Sequence, residues 1–248
     1  MIGYNTGFAQ IETLPPEQAG RILFGRSMVV IRALTTVSPL LFIAGVGILI
    51  FGAMPRETGA SLFMPTLLAS AFLMVFSALI SMRDVKNRWL RHIARREIRR
   101  RSNSLVDSDA SDAWFVEVVP KANWDVRGLS ENATDVGFLS VDFQNGCLFF
   151  EGDSKRYRIP AGALVEFEQD HYSRSATMDK YGARYDVRFY FAVIKVRLSD
   201  KESAEIPFRI RINGGFFSDK SQRDGNAKLL RDIERLKNNR TNIKQNLE

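Results

Sequence analysis

Residues 33–53 read ALTTVSPLLFIAGVGILIFGA, residues 61–82 read SLFMPTLLASAFLMVFSALISM, and neither stretch contains an ionisable side chain. Each has the length of about 20 apolar residues that an α-helix needs to cross a hydrocarbon core of about 30 Å. A core helix of a soluble protein normally keeps one polar stripe for water, and both stretches lack such a stripe. The sequence therefore predicts two transmembrane helices, which the short connection 54–60 joins into an antiparallel hairpin.

The charges on either side of these stretches predict the orientation of the hairpin. Three arginines lie in the segment 1–32, and nine lysines or arginines follow the second stretch within residues 83–101, whereas the connection 54–60 holds one arginine and one glutamate. Cationic clusters next to transmembrane helices are retained in the cytoplasm. We therefore expect both termini to be cytoplasmic, with 1–32 as a cytoplasmic N-terminal segment and 54–60 as an external loop.

Small side chains recur on both predicted spans. Gly45 and Gly52 share one face of the first span, and Ser70, Ser77 and Ser81 share one face of the second. Small residues at such spacing let two helices approach closely within a membrane. These five positions predict packing of the two spans against each other, with a contact to another membrane subunit as the alternative.

The segment 83–101, RDVKNRWLRHIARREIRRR, carries the basic character of the chain. Its nine cations and two acidic residues give +7, which equals the formal net charge of +7 for all 248 residues. Val85, Trp89 and Ile93 recur at helical spacing, which predicts a basic amphipathic juxtamembrane helix. Its apolar stripe would rest either at the membrane surface or on the folded domain.

The cations of this helix are predicted to contact lipid headgroups, because each cation near an anionic leaflet contributes about 1 kcal/mol of binding free energy. The predicted contacts are Arg83, Lys86, Arg88, Trp89, Arg91, Arg95, Arg96, Arg99, Arg100 and Arg101. Nucleic-acid binding is the weaker interpretation, since the membrane accounts for the charge by position and the segment offers no aromatic residue but Trp89. A role as a topology signal alone is a simpler alternative.

A Ser- and Asp-rich segment, 102–113, predicts a linker, and after it the pattern changes to strands. Strands are predicted at 114–119, 136–143, 147–151, 155–159, 163–168, 186–198 and 205–212, with polar connections at 121–135 and 169–185 and a hairpin turn at 144–146. A change of apolar phase predicts a bulge near 192–194. A closing helix is predicted at 226–236, with Asp224 or Asn226 as its cap and 238–248 as a flexible tail.

The region 114–237 resembles a pleckstrin-homology-like domain of the kind attached to transmembrane helices in bacterial proteins. The resemblance rests on the strand order, on the hairpins DFQNGCLFF and FEGDSKRYRIP, and on the closing helix AKLLRDIERL. It implies an α+β membrane protein whose cytoplasmic domain is a partly open antiparallel β-barrel of about seven strands with a C-terminal helix. It also implies a location in the bacterial cytoplasmic (inner) membrane. A different small β-barrel or sandwich is the alternative fold.

No pattern of residues predicts catalysis, a cofactor or a metal. His92 and His171 lie far apart, Cys147 is the only cysteine, and the pair Asp170-His171 has no accompanying nucleophile. Because the resembled family comprises binding or targeting modules, we expect a non-enzymatic, membrane-anchored scaffold that recruits or regulates a protein partner and contacts membrane lipids, especially anionic ones. The alternative is an accessory structural subunit of a larger membrane complex, contacting it through the transmembrane hairpin.

Overall fold

The computed structural model describes residues 7–23, 25–53, 63–81, 83–125, 132–177, 184–211 and 218–245. It is an α+β protein in which helices accompany one curled, antiparallel sheet of eight strands, and a C-terminal helix closes the sheet. The helices are α1 (Arg26–Ala53), α2 (Phe63–Ser81), α3 (Arg83–Arg99) and α4 (Ser218–Gln245). The predicted α+β class, with its antiparallel sheet and closing helix, is confirmed.

Helices α1 and α2 run antiparallel in close contact. The Ser77 hydroxyl donates a hydrogen bond of 2.6 Å to the backbone carbonyl of Ser38, so the first half of α1 meets the end of α2. About two helical turns further along α1, Gly45 lies so near α2 that an added Cβ would come within 3.1 Å of the Ser70 carbonyl oxygen. The predicted loop 54–60 lies outside the described residues.

The apolar length of these helices differs. Among the residues that the structure describes, one helix is long and apolar enough to cross a membrane, over Met28–Ile50. The apolar stretch of α2 is shorter and covers Leu67–Ser77. The predicted second span, 61–82, extends at both ends beyond the described residues.

The strands form a single sheet in the order β1-β5-β4-β3-β2-β8-β7-β6. Their bounds are β1 Gln10–Thr13, β2 Trp114–Val118, β3 Asp135–Asp142, β4 Cys147–Gly152, β5 Lys155–Pro160, β6 Leu164–Thr177, β7 Arg184–Arg197 and β8 Ser203–Ile210. The N-terminal strand β1 was not predicted, because its four residues are all exposed and show no apolar alternation. It pairs with β5 at one edge of the sheet.

The main core fills the concave side of the sheet. Helix α4 covers it with Leu229, Ile233 and Leu236, which are buried against strand residues such as Phe150 and Phe208. The helix begins at Ser218, well before the predicted 226. Asp224 and Asn226 therefore lie inside the helix and do not cap it.

A second apolar cluster lies between helix α3 and the sheet. Leu90, Ala94 and Ile98 are buried there with Phe115 and Phe138. Val106 and Ala113 of the predicted linker are buried in the same cluster, so the segment 102–113 packs as part of the domain. The sequence left open where α3 would rest, and its apolar face rests on the folded domain.

Two predictions about strands β6 and β7 are wrong. The predicted polar loop 169–185 is mostly strand, because β6 and β7 pair from Leu164↔Val196 to Thr177↔Arg184. The predicted bulge at 192–194 is absent, and the irregularity lies between Leu164 and Glu166. The apolar phase changes because β7 is covered on both faces: Phe191 and Val193 pack in a small cluster with Val119, whereas Ala192 and Ile194 face the main core.

Candidate functional site on helix α3

Helix α3 presents Arg88, Arg96 and Arg99 on the face that points away from the sheet. Since Leu90, Ala94 and Ile98 are buried, side chains a half turn away point to solvent. Trp89 and Val85 are each 39% exposed and do not join the buried stripe, so of the three predicted stripe residues only Ile93 is buried. The stripe that packs is shifted by about one residue from the predicted one.

The predicted headgroup contacts differ in their exposure to solvent. Arg88, Arg96, Arg99 and Arg100 are exposed, and Lys86, Arg91 and Arg95 are half-buried. Desolvation lowers the pKa of Lys86, and desolvation together with the charge of Arg95 lowers that of Arg91. The side chain of Arg83 lies outside what the structure describes, and Arg101 is buried.

Three of the four exposed arginines form local ion pairs. Arg96 and Arg100 each donate to Glu97 Oε1 at 3.2 Å, and Arg99 pairs with Asp109. The hydrogen bond from Arg99 lowers the pKa of the Asp109 carboxyl. Surface pairs of this kind are weak and screened by salt, so these guanidinium groups remain available to other anions.

Arg101 is a correction to the predicted lipid contacts. Its guanidinium donates to Glu151 Oε1 at 2.7 Å, to the Gly152 carbonyl at 2.6 Å and to the Gln18 carbonyl at 3.2 Å. The side chain is 4% exposed and that of Glu151 is fully buried. Arg101 therefore connects the end of α3 to the sheet and is withdrawn from any lipid surface.

Two buried aspartates extend this connection to the segment before α1. The Asp153 carboxylate accepts hydrogen bonds of 2.8 Å from the backbone N–H groups of Ile22 and Leu23. Asp135 accepts a bond of 2.6 Å from the N–H of Asp153 and one of 2.9 Å from that of Lys155. Burial raises the pKa of Asp135 to about 6 and also raises that of Asp153.

No local pattern in the sequence indicates this polar cluster, which joins the segment before α1, the end of α3 and the β4–β5 turn. The segment FEGDSKRYRIP reads as a simple turn. The available signal was Glu151 at the end of an otherwise apolar strand, since a buried carboxylate requires a partner. That partner lies elsewhere in the chain.

The structure describes the surroundings of three of the five predicted packing residues. Gly45, Ser70 and Ser77 lie at the contact between α1 and α2 and are buried. Gly52 and Ser81 belong to the same helices, but their surroundings lie outside the described part.

A cavity of about 360 Å³ opens beside α3, where this helix approaches the start of β2 and helix α4. It is lined by Arg91, Ser111, Asp112, Ala113, Trp114, Phe115, Ile210, Arg211, Lys228 and Asp232. Sequence reasoning assigned only Arg91 among these residues to a site. Within the described ranges no group of three or more His, Cys, Asp or Glu side chains could hold a metal ion.

Comparison of the chain with protein-family models, with curated proteins and with solved structures gives no match. The resemblance to a pleckstrin-homology-like domain stays a prediction.

Proposed function

We propose that the protein is a non-enzymatic binding module anchored in a membrane by a hairpin of α1 and α2, with its sheet domain in the cytoplasm, where it recruits or regulates a protein partner. The observation that carries the proposal is that the chain is attached to the same sheet before α1 and after α2. Strand β1 pairs with β5 ahead of α1, and α3 packs on the sheet after α2.

This attachment constrains the number of crossings. If α1 crosses a membrane, the chain has to cross back before α3, because the segments on both sides of the helical pair belong to one folded domain. The only helix between α1 and α3 in the described part of the chain is α2. A hairpin with both ends on the domain's side satisfies this constraint, whereas a single span does not.

The outer surface of the helical pair supports lipid contact. Leu40, Ile43, Leu68 and Phe72 are each at least 64% exposed. Contiguous apolar surface of this kind is rare on soluble monomers, since each Å² left in water costs about 25 cal/mol. Lipid tails would cover it.

Charge supports the cytoplasmic placement. The cations of α3 follow the second helix directly, and such clusters are retained on the cytoplasmic side. The exposed arginines among them, including Arg88 and Arg96, would face anionic headgroups at about 1 kcal/mol each. The proposal includes multi-pass insertion in the bacterial cytoplasmic membrane and a pleckstrin-homology-like domain. The strand order β5-β4-β3-β2-β8-β7-β6, with α4 closing the core, supports the pleckstrin-homology-like nature of the domain.

The surface that supports partner recruitment is the hairpin of β6 and β7, which we call the arm over residues 168–177 and 184–193. Strand β8 pairs with β7 only from Ala192 to Arg197, so the arm extends beyond the rest of the sheet from the pair Asp170↔Phe191 onward, and Glu168 lies at its base opposite Val193. Strand β6 is also the last in the sheet order, which leaves one backbone edge for a partner strand. Exposed edges of this length are normally covered or used.

Topology is tested by cysteine labelling in intact cells. The single native cysteine is replaced by Cys147→Ser, and Thr58→Cys or Ser102→Cys is then introduced separately. A membrane-impermeant maleimide should label position 58 in intact cells and position 102 only after lysis. Labelling of 102 in intact cells would overturn the hairpin or its orientation.

Recruitment is tested by cross-linking and co-purification of the full chain in mild detergent. Glu168→Arg reverses a charge on the arm, and Glu234→Arg makes the same change on the exposed face of α4. The arm variant should lose the co-purifying protein that the wild type and the α4 variant retain. Equal recovery with all three chains would remove the arm from the proposal.

The alternative function is an accessory subunit that contacts a membrane complex through the hairpin. Its supporting observation is the stacked pair Phe72 and Phe76 on α2, whose ring centroids lie 5.7 Å apart on the exposed side. Ser77 cannot test this idea, because it already bonds to Ser38 within the chain. Replacing Phe72 and Phe76 by Leu should release the chain from the complex while leaving its membrane insertion unchanged. If the variant still assembles with the complex, the alternative is wrong.

A further inference from the structure

The cavity beside α3 brings together charged side chains from four separate parts of the chain. Arg91 comes from α3, Arg211 follows β8, and Lys228 and Asp232 come from α4, with Asp112 completing the set from the segment before β2. The volume of about 360 Å³ is within the range of small-ligand sites. Helix α3 and residues 102–113 lie outside the region with the pleckstrin-homology-like resemblance, so that resemblance does not imply this cavity.

The cations are held in place at the cavity wall. Arg211 Nε lies 3.3 Å from the buried carboxylate of Glu117, and its side chain is 5% exposed. The Lys228 ammonium lies 5.2 Å from the ring centroid of Trp114, which forms part of the lining. Arg91 is half-buried in the lining, and no carboxylate of the described residues forms an ion pair with it. A guanidinium group without an anionic partner favours an anionic ligand.

The carboxylates of the cavity indicate a second feature of the ligand. Among the described residues, Arg91, Lys228, Asp112 and Asp232 form no ion pair with one another within 4.0 Å, although all four line one cavity. Three cations and two carboxylates therefore surround the same space. A ligand with an anionic group and a nearby N–H or O–H donor would satisfy both kinds of side chain.

We propose that this cavity binds a phosphate ester that carries a neighbouring amino group. The phosphate would be held by Arg91, Arg211 and Lys228, because guanidinium groups match phosphate oxygens bidentately. The ammonium would be held by Asp112 and Asp232. Phospholipid headgroups and soluble phosphoamines share this chemistry, and Arg91 lies about 12 Å along α3 from Arg83 at a rise of 1.5 Å per residue.

Trp114 supplies the readout. The full-length protein with Trp89→Phe and Trp124→Phe keeps Trp114 as its only tryptophan, since the chain has three. Its fluorescence is followed in phosphate-free buffer while the protein sits in phosphatidylcholine nanodiscs, whose choline headgroup has no N–H donor. The probes are inorganic phosphate, O-phosphoethanolamine, and nanodiscs in which phosphatidylethanolamine replaces part of the lipid.

The expected result is a saturable change with O-phosphoethanolamine or with phosphatidylethanolamine, and binding at least about tenfold weaker in Arg91→Gln and Lys228→Gln. Arg223→Gln, on the same helix as Lys228 but outside the cavity, should bind like the parent. Lys228 is exposed, so its variant decides the matter if Arg91→Gln fails to fold. No saturable change with any probe would overturn the proposal, and so would equal weakening by Arg223→Gln.

The same experiment distinguishes a soluble ligand from a lipid headgroup. Saturation by O-phosphoethanolamine in phosphatidylcholine discs assigns a soluble phosphoamine, and a change seen only with phosphatidylethanolamine assigns a lipid headgroup. Both support the site. The proposal does not depend on partner recruitment, because Glu168→Arg on the arm should leave this binding unchanged.

Discussion

Nη1 of Arg101 lies 2.7 Å from Oε1 of Glu151, in a buried ion pair that ties the residues after α3 to strand β4. Glu151 also receives a bond of 2.9 Å from Arg156 Nε and one of 3.1 Å from the backbone N–H of Leu105. The pair therefore sits where α3, the segment after it and the sheet meet. Its loss should loosen the attachment of the helical pair to the domain.

Arg101→Gln is expected to lower the free energy of unfolding of the sheet domain by about 3 kcal/mol, because removing one partner leaves a buried carboxylate incompletely compensated. Arg156 still contacts Glu151, which keeps the loss at the lower end of the usual range. Chemical unfolding of the detergent-solubilised protein measures the change. Arg100→Gln, whose side chain is 61% exposed, is the matched control and should change the free energy by less than about 0.5 kcal/mol. Equal stability of the two variants would show that the buried pair is dispensable.

These two neighbouring arginines also show what could not be predicted from the sequence alone. Arg100 and Arg101 stand side by side in a run of arginines, and no local pattern separates the exposed one from the buried one. The difference arises from Glu151, far along the chain, once the sheet has formed. Predicting all ten positions as lipid contacts was therefore wrong at Arg101.

Local patterns predicted much of the sheet. The Asn145-Gly146 turn is confirmed, with Gly146 at a φ of 64° and the Asp142 carboxylate accepting from the Asn145 N–H at 3.0 Å. Apolar alternation also placed Ile206, Phe208 and Ile210 in the core. Prediction failed where a strand has an almost entirely polar sequence, as in β6 over residues 169–177, or is covered on both faces, as at Phe191 and Ala192 of β7. Apolar and polar residues alternate along a strand only when one face of the strand is buried and the other is exposed to water.

Asp135 predicts a pH dependence of stability. Burial raises its pKa to about 6 in the folded protein from 3.8, so the folded state binds the proton more tightly than the unfolded chain. Stability should therefore fall as the pH rises from about 4 to about 6, by about 3 kcal/mol for this group, and then level off. Unfolding free energies measured from pH 4 to 7 test this, with Asp135→Asn as the comparison.

The Asp135→Asn variant should be less stable at neutral pH, because an amide cannot accept every bond that the carboxylate accepts, and should show a shallower slope between pH 4 and 6. The difference between the two curves isolates Asp135 from other titrating groups. A difference that grows in favour of the wild type as the pH rises would mean that the backbone hydrogen bonds from Asp153 and Lys155 outweigh burial.

The cations of α3 predict a separation between lipid binding and stability. Replacing Arg88 and Arg96 together by Gln should reduce co-purifying anionic lipid, since each cation contributes about 1 kcal/mol near the headgroups. The loss should shrink at high salt because the charges are exposed. Lipid analysis by mass spectrometry measures the effect, and unfolding of the domain should be unchanged. Unaltered lipid recovery would leave these residues only a role in topology.

Two glycines of α1 test whether close packing holds α1 and α2 together. A Cβ at Gly45 would lie 2.9 Å from Met74 Cγ and 3.1 Å from the Ser70 carbonyl oxygen, whereas a Cβ at Gly47 would meet nothing within 4 Å. Gly45→Ala should therefore push α1 away from α2 and cost about 1–3 kcal/mol of stability, as overpacking does elsewhere.

Gly47→Ala makes the same chemical change on the same helix, and should be neutral or stabilising by up to about 1 kcal/mol through helix propensity. A thermal melt in detergent, with a cross-link between cysteines placed at the Ser38 and Ser77 positions as a second readout, compares the two variants. If Gly45→Ala melts and cross-links like Gly47→Ala, the helices do not depend on the contact at Gly45. The two helices would then have to be held by the hydrogen bonds between Ser38 and Ser77 and by the segments on either side of them that pair with or pack on the sheet.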